Sequence, residues 1–328
     1  MRRLLPLSAP LLLAVVAAGC GSSDSGSSTK DAPPPASPAQ FPKAAGKTLT
    51  TLRGNLPDGV VLSPSTPTSL EVGDHNRLGF ALFTPDRKQI QNAQVAVYTT
   101  NHDGTGVKGP YLAKWESLAV KPQFLSQTTA NDPSAAKSVY VADVPVDSPG
   151  KRVFTGIARV DGKLVQTSGF EIPVRRPRDP RNPIDVDVRA PFMHTETLSD
   201  VNGDASKLST RVPPAPDLLQ TDYADALGKK PIVITFATPQ LCQSRVCGPV
   251  VDVVEQVKSQ TKGDVAFIHQ EIYKDNDANK GYRPQLKPYR LASEPWTYVI
   301  DRSGRVSARF EGAVSVAELQ RAVDAVAT

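Results

Sequence analysis

The sequence predicts two domains of different class, an all-β sandwich followed by an α/β domain. Two observations carry this. Between residues 49 and 175, short apolar alternations recur with Pro, Gly and Asp turns between them and no helical period. After residue 191, buried-strand patterns alternate with amphipathic ones in the order β–α–β–(α)–β–β–α. A length of 328 residues suits about two domains. The composition, 39% hydrophobic and 22% charged, is that of ordinary globular protein. A net charge of +5 gives no nucleic-acid footprint, so no nucleic-acid partner is expected.

At the N-terminus, Arg2 and Arg3 precede an apolar stretch, LLLAVVAA, and then Ala17-Ala18-Gly19-Cys20. This resembles the bacterial lipobox. The resemblance implies a lipoprotein signal peptide over 1–19, lipid on Cys20, and anchorage at the extracytoplasmic face of the cell membrane. A freely secreted chain is the alternative. No other stretch approaches the roughly 20 apolar residues of a membrane span. Residues 20–48 are Ser/Gly-rich and then Pro-rich, which predicts a disordered tether. Outside the cytoplasmic membrane disulfides persist. With Cys20 lipidated, Cys242 and Cys247 remain as a pair.

In the first domain Leu78, Phe80 and Leu82 alternate, as do Val95 with Val97 and Val139 with Val141. RVFTGIARV and KLVQTSGFEIPV are joined by Asp161-Gly162, which suits a type I′ hairpin. Strands at this spacing over 49–175 suggest an immunoglobulin-like sandwich, although the cysteine pair of antibody domains is missing. Trp115 reads as packing. Residues 176–190, with Arg176, Arg178 and Arg181 just beyond Arg175, read as a solvated linker.

In the second domain, 191–328, residues 218–227 suggest a short helix and PIVITFA a buried strand. GPVVDVVEQVKSQ places Val250, Val251, Val253, Val254 and Val257 on one helical face, closed by Gly263. DVAFIHQEI is a second strand. WTYVI and RVSARF flank a turn at Asp301 to Gly304, and Ser315 with Glu318 forms a capping box on a final helix.

The run ITFATPQLCQSRVCGPV, then SEPWTYVIDRSGRV and the capped helix, resembles the thioredoxin fold over roughly 190–328. More narrowly it resembles the thioredoxin-like domains of actinobacterial lipoproteins. The resemblance implies a cis proline beside the cysteines, here Pro295. The chain departs from the family in carrying C-x-x-x-x-C where thioredoxins carry C-x-x-C. One alignment puts Cys242 near the family's nucleophile. The other matches Cys247-Gly248-Pro249 to the family's Cys-Gly-Pro. Proline favours the first helical turn, so the helix begins near Cys247, whose thiolate the positive helix end stabilises. On those grounds Cys247 is favoured as the attacking thiol. With Cys242 in the preceding loop, the roughly 4.4–6.8 Å Cα spacing of a disulfide is within reach. His269 and Glu271 share a strand face at the sheet edge where open α/β sheets bind ligands, a place from which to exchange protons with the thiols. Trp296 is expected either in the groove beside Pro295 or in the core.

Three functions fit these residues. The first is a membrane-anchored thiol-disulfide oxidoreductase acting on a protein thiol or disulfide partner, with no cofactor. The second is a binding or scaffold lipoprotein with a structural disulfide. The third is copper handling like that of Sco-type chaperones, which use two cysteines and a histidine. That family, however, has C-x-x-x-C and a histidine near its last strands. Asp200-x-Asn202-x-Asp204 opens like a calcium loop, but Ala205 and Arg211 occupy the positions that need Gly and Glu.

Overall fold

The computed structural model describes residues 32–327, apart from 66, 67 and 243. The signal peptide, Cys20 and the first part of the predicted tether, 20–31, lie outside the described residues.

The first unit holds β1 (Val61–Pro64), β2 (Leu70–Glu71), β3 (Arg77–Phe83), β4 (Gln89–Ile90), β5 (Gln94–Asn101), β6 (Lys108–Ser117), β7 (Ser138–Asp143), β8 (Gly150–Val160) and β9 (Lys163–Arg175). It also holds two short helices, α1 (Leu49–Arg53) and α2 (Gln127–Ala130). The strands pair along one path, β1-β3-β7-β6-β5-β8-β9-β2, with β4 on β3. Two separate sheets were expected. They are joined because β5 and β6 pair as a hairpin, Val95 opposite Ala113 and Val97 opposite Tyr111. The path also closes on itself, since Val60, just before β1, bridges Thr167 on β9 and the Ser168 N–H donates to the Val60 carbonyl at 3.0 Å. The sheet therefore rolls around one core, in which Leu78, Phe80, Leu82, Val95, Val97, Tyr140 and Phe154 are fully buried. Asp161 and Gly162 both have positive φ (48° and 79°), as the two-residue turn between β8 and β9 requires.

The tether is shorter than its composition predicts. Phe41, Ala44 and Leu52 are buried with Ala96, Tyr98 and Ile157 on the outer face of β5 and β8. Tyr98 Oη donates to the Pro42 carbonyl (2.7 Å), and Gln94 Nε2 donates to the carbonyls of Pro34 and Pro35 (3.1 and 3.0 Å). Low apolar content predicts disorder, but here a few apolar residues find a sheet face left open for them.

The second unit is built on β10 (Ile232–Phe236), β11 (Ala266–Gln270), β12 (Trp296–Ile300) and β13 (Val306–Glu311), in the order β11-β10-β12-β13. β10 and β11 run parallel, and β12 and β13 antiparallel. The helices are α3 (Tyr223–Ala226), α4 (Cys247–Gln260), α5 (Leu286–Tyr289) and α6 (Val316–Asp324). The β–α–β–(α)–β–β–α order is the one the thioredoxin resemblance implies. The helix expected over 218–227 shrinks to a 3-10 turn at Pro216–Leu218 and the single turn of α3. The Ser315/Glu318 capping box forms in full. One face of the sheet packs on α4 and α6 through Val250, Val254, Val257, Leu319 and Val323. The other packs on Tyr223, Tyr289 and Tyr298 with Phe236 and Trp296.

The stretch 176–190 is docked. Asn182, Ile184 and Ala190 are buried. The Asp187 N–H donates to the Val306 carbonyl, the Val306 N–H to Val188, and the Ala190 N–H to Gly304, each at 2.9–3.0 Å. Backbone pairing along β13 overrides the solvated linker that the arginines suggested. Arg181 pairs with Asp179, and Arg175 donates to Ser69 Oγ.

The two units meet in a polar, buried seam. Asp252, on α4, has no exposed surface. Its Oδ2 accepts the N–H and hydroxyl of Ser126 (3.2 and 3.1 Å), and its Oδ1 accepts Arg211 Nε (2.9 Å). Arg211 also donates to the Phe124 carbonyl and to Glu255. Burial pushes the Asp252 carboxyl up, while Thr129, Arg211 and Ser126 pull it down. Further along, Arg77 grips Glu318 with two bonds of 3.0 Å, and Ser315 Oγ donates to Glu116. Glu311 accepts from the Thr68 N–H (3.2 Å) and from Ser293 Oγ (2.6 Å).

Burial pushes Glu311 up to about 7, against the lowering by its two donors. Between its ordinary 4.5 and about 7, the folded chain then holds a proton that the unfolded chain has lost. Stability contributed by this group falls as pH rises through that window. Glu311→Gln is expected to flatten the slope, so that wild type loses about 1–3 kcal/mol more than the variant between about pH 5 and about pH 7.5. Chemical unfolding at both pH values checks it; equal slopes in the two proteins would rule it out.

Candidate functional site

β10 ends at Phe236, and the chain turns through Thr238–Leu241 into the cysteine loop before α4 begins at Cys247. Pro249 sits in the first turn of that helix, where its missing N–H costs nothing. The N-cap is Val246, which offers no side-chain acceptor. The first N–H groups of α4 thus keep the positive end of a 14-residue helix uncapped by side chains.

Cys242 and Cys247 are joined as a disulfide with Cα atoms 6.0 Å apart. Their surroundings differ. Cys247 has no exposed surface and packs with Val250, Val251 and Leu218. Cys242 is half-buried, and its Sγ lies 3.2 Å from Ser244 Oγ. The helix does begin at Cys247, as Pro249 predicts. Yet the sulfur within reach of an incoming thiol is that of Cys242. Helix-end electrostatics alone favour Cys247 as attacker, but Cys247 is the one without exposed surface, and an attacking thiol needs access as well as charge.

The strand register brings several of the expected residues to the same end of the sheet. Phe236 pairs with Gln270 on β11 and with Trp296 on β12, so the exits of β10 and β11 and the entry of β12 coincide. The Glu294–Pro295 peptide is cis, as the resemblance implies, and opens β12.

His269 is buried and its Nε2 hydrogen-bonds the Ala237 carbonyl at 3.0 Å. Among the described residues its bond is to backbone, five positions ahead of Cys242, and not to sulfur. Burial pushes its pKa down, with Glu271 pulling it back up. Glu271 falls one residue beyond β11 and is also buried. Its Oε2 accepts the N–H and hydroxyl of Thr210 (2.9 and 3.1 Å), and Thr210 Oγ1 in turn accepts the Gln240 N–H (3.1 Å). Glu271 therefore anchors the backbone two residues before Cys242. Burial and the neighbouring Glu271 push Glu294 up. Trp296 is core: it is 3% exposed, stacks on Tyr298 at 5.6 Å and donates to Ser293 Oγ.

Sequence reasoning missed the first unit's hold on the loop. Arg245 has φ of 62°, and its carbonyl accepts the Ala136 N–H (3.1 Å). Its guanidinium makes two 3.1 Å bonds to Asp132. A Cβ on Gly248 would come within 2.8 Å of Thr129 Oγ1, so any larger residue would have to displace that hydroxyl of α2. The one visible signal was Asp252, a lone acid inside VVDVV.

No protein-family model matches the chain, and no curated protein does. A structural neighbour is a thioredoxin-family thiol:disulfide interchange protein from Chlorobium tepidum TLS. It is 17% identical, covers 45% of this chain and 98% of its own, and has a TM-score of 0.30. Another solved structure, the ZirS C-terminal domain, is 11% identical over 52% of this chain and 98% of its own, with a TM-score of 0.18.

His269, lowered by burial, is expected to stay neutral to lower pH than an ordinary histidine of about 6.5, whereas His75, raised by its hydrogen bond to Asp143, titrates above it. Nitrogen-detected NMR of the imidazoles across a pH series checks this. A His269 that protonates together with free imidazole would mean that the ring is reachable by water and open to proton exchange with the thiols.

Proposed function

We propose that the chain is an extracytoplasmic thiol-disulfide exchange protein working through Cys242 and Cys247. The observation that carries this reading is the asymmetry of the pair. A half-buried sulfur is bonded to a fully buried one that starts a long helix. A partner thiolate attacks Cys242 Sγ. The partner–Cys242 bond forms, the Cys242–Cys247 bond breaks, and the electron pair leaves on Cys247. The positive end of α4 favours that charge until a proton arrives from solvent. The partner's second thiolate then attacks the partner sulfur of the mixed disulfide. The partner gains a disulfide and gives up two electrons, and Cys242 departs as thiolate. Run in reverse, the same steps reduce a partner disulfide. Lipid on Cys20 would hold this chemistry at the membrane's outer face, and the first unit would serve as an immunoglobulin-like support for the loop. His269, the histidine a copper site would need, gives its Nε2 to the Ala237 carbonyl instead.

The reduction potential of the pair tests the reading, measured by equilibrating the protein in thiol/disulfide buffers and counting free thiols. A value of about −120 to −270 mV supports exchange, whereas one well below about −300 mV means a locked structural bond. With Cys247→Ser the mixed disulfide should accumulate on Cys242, and with Cys242→Ser the remaining buried thiol should react at least about tenfold more slowly. Metabolic labelling with an alkyne fatty acid checks the anchor; label that persists in Cys20→Ala would exclude that residue.

A further inference from the structure

Beside the cysteine loop, a cleft of about 550 Å³ opens between the two units. That volume is in the range of ligand sites, about 300–1,000 Å³. Its second-unit wall is Ala313 together with Ser244, Arg245 and Val246 from the stretch between the cysteines. Ser244 is also the residue whose hydroxyl lies 3.2 Å from Cys242 Sγ. The first-unit wall carries Arg87, Lys88 and Lys137, all exposed, as is Arg245. Among the described residues, no Asp or Glu lines the cleft. Lys88 pairs with Asp86 and Arg245 with Asp132. Arg87 and Lys137 form no ion pair among the described residues. The cleft thus presents unneutralised positive charge, and Ser244 joins its wall to Cys242, which lies just beyond it.

We propose that this cleft selects the exchange partner, a polypeptide whose reactive cysteine is flanked by acidic residues. The proposal rests on the thiol-exchange reading and gives it a substrate class. A cleft walled by like charge concentrates ligands of the opposite sign and raises their encounter rate, by an amount that falls with ionic strength. A polypeptide suits the site better than a small thiol. The charges spread along walls drawn from both units, and a segment of several residues can lie along them where a small thiol cannot. In the exchange the acidic segment lies along the cleft while its cysteine thiolate attacks Cys242, with electrons moving as described above.

The test uses the full chain in its oxidised form. Two short synthetic peptides are compared, each with one cysteine, flanked by glutamates in one and by lysines in the other. Rates are divided by the rate with dithiothreitol on the same protein. The acidic peptide is expected to react at least about tenfold faster than the basic one at low salt. The ratio should collapse between about 0.1 M and about 1 M salt, where the screening length shrinks from about 10 Å to about 3 Å. Arg87→Glu with Lys137→Glu should abolish or invert it, and the salt series needs no variant. Equal peptide rates with ready reduction by dithiothreitol would overturn the cleft proposal while leaving exchange standing. Mercaptosuccinate gaining as much as the acidic peptide would overturn the polypeptide assignment. If no thiol opens the pair, exchange itself fails, and binding of the acidic peptide with serine for cysteine, read by fluorescence anisotropy, decides the cleft separately. Binding that Lys137→Glu weakens supports it, and no binding ends it.

Discussion

The Asp252 carboxylate is the constraint on which the rest of the molecule hangs. It sits on the same helix as Cys247, one and a half turns on, with no exposed surface. Removing one partner of a buried, hydrogen-bonded charge typically costs about 3–5 kcal/mol, because the other charge stays behind unpaired. Removing Arg211 would leave the Asp252 carboxylate in that position, with Ser126 still donating to it, whereas without Asp252 Arg211 keeps Glu255. Their geometry sets where the 118–137 stretch of the first unit lies against α4. That in turn brings Thr129 onto Gly248, Asp132 to Arg245 and Ala136 to the Arg245 carbonyl. The cysteine loop is thus shaped by residues more than a hundred positions away in sequence.

What was legible in the sequence was local. Pro249 marked the start of α4 because proline belongs in a first helical turn. Asp161-Gly162 marked a hairpin because that pair accepts positive φ, and Ser315 with Glu318 marked a cap because both groups lie within one turn. What was hidden depended on partners distant in the chain. The periodicity of β5 shows one buried face, Val95 and Val97, yet Ala96 and Tyr98 are equally buried beneath residues 41–52. The valine face of α4 was readable, but burial of Asp252 on its far side was not, since that needs the first unit in place. The same holds for 176–190, where arginines suggested solvent and backbone pairing with β13 decided otherwise.

At the site, placing charge was easier than placing access. Helix-end electrostatics correctly located Cys247 at the start of α4, but exposure is a property of the assembled fold, and it hands the encounter to Cys242. Glu271 shows the same division. Its position near the end of β11 was foreseeable. Its ties to Thr210, and through it to Gln240, depend on a coil segment some sixty residues earlier. The sheet end therefore offers the pair a held loop and a positive helix terminus.

The packing of residues 34–44 onto β5 has a consequence for reach. Under the proposed lipid on Cys20, thirteen residues, 21–33, separate the anchor from Pro34, whose carbonyl accepts from Gln94. At about 3.3–3.6 Å per residue, those span at most about 45 Å. A globule of this size is itself about 50 Å across. Under the proposed anchorage, Pro34 would stay within about 45 Å of the bilayer, about one diameter of the folded part. A partner would then meet the cleft no farther than about two such diameters from the membrane surface.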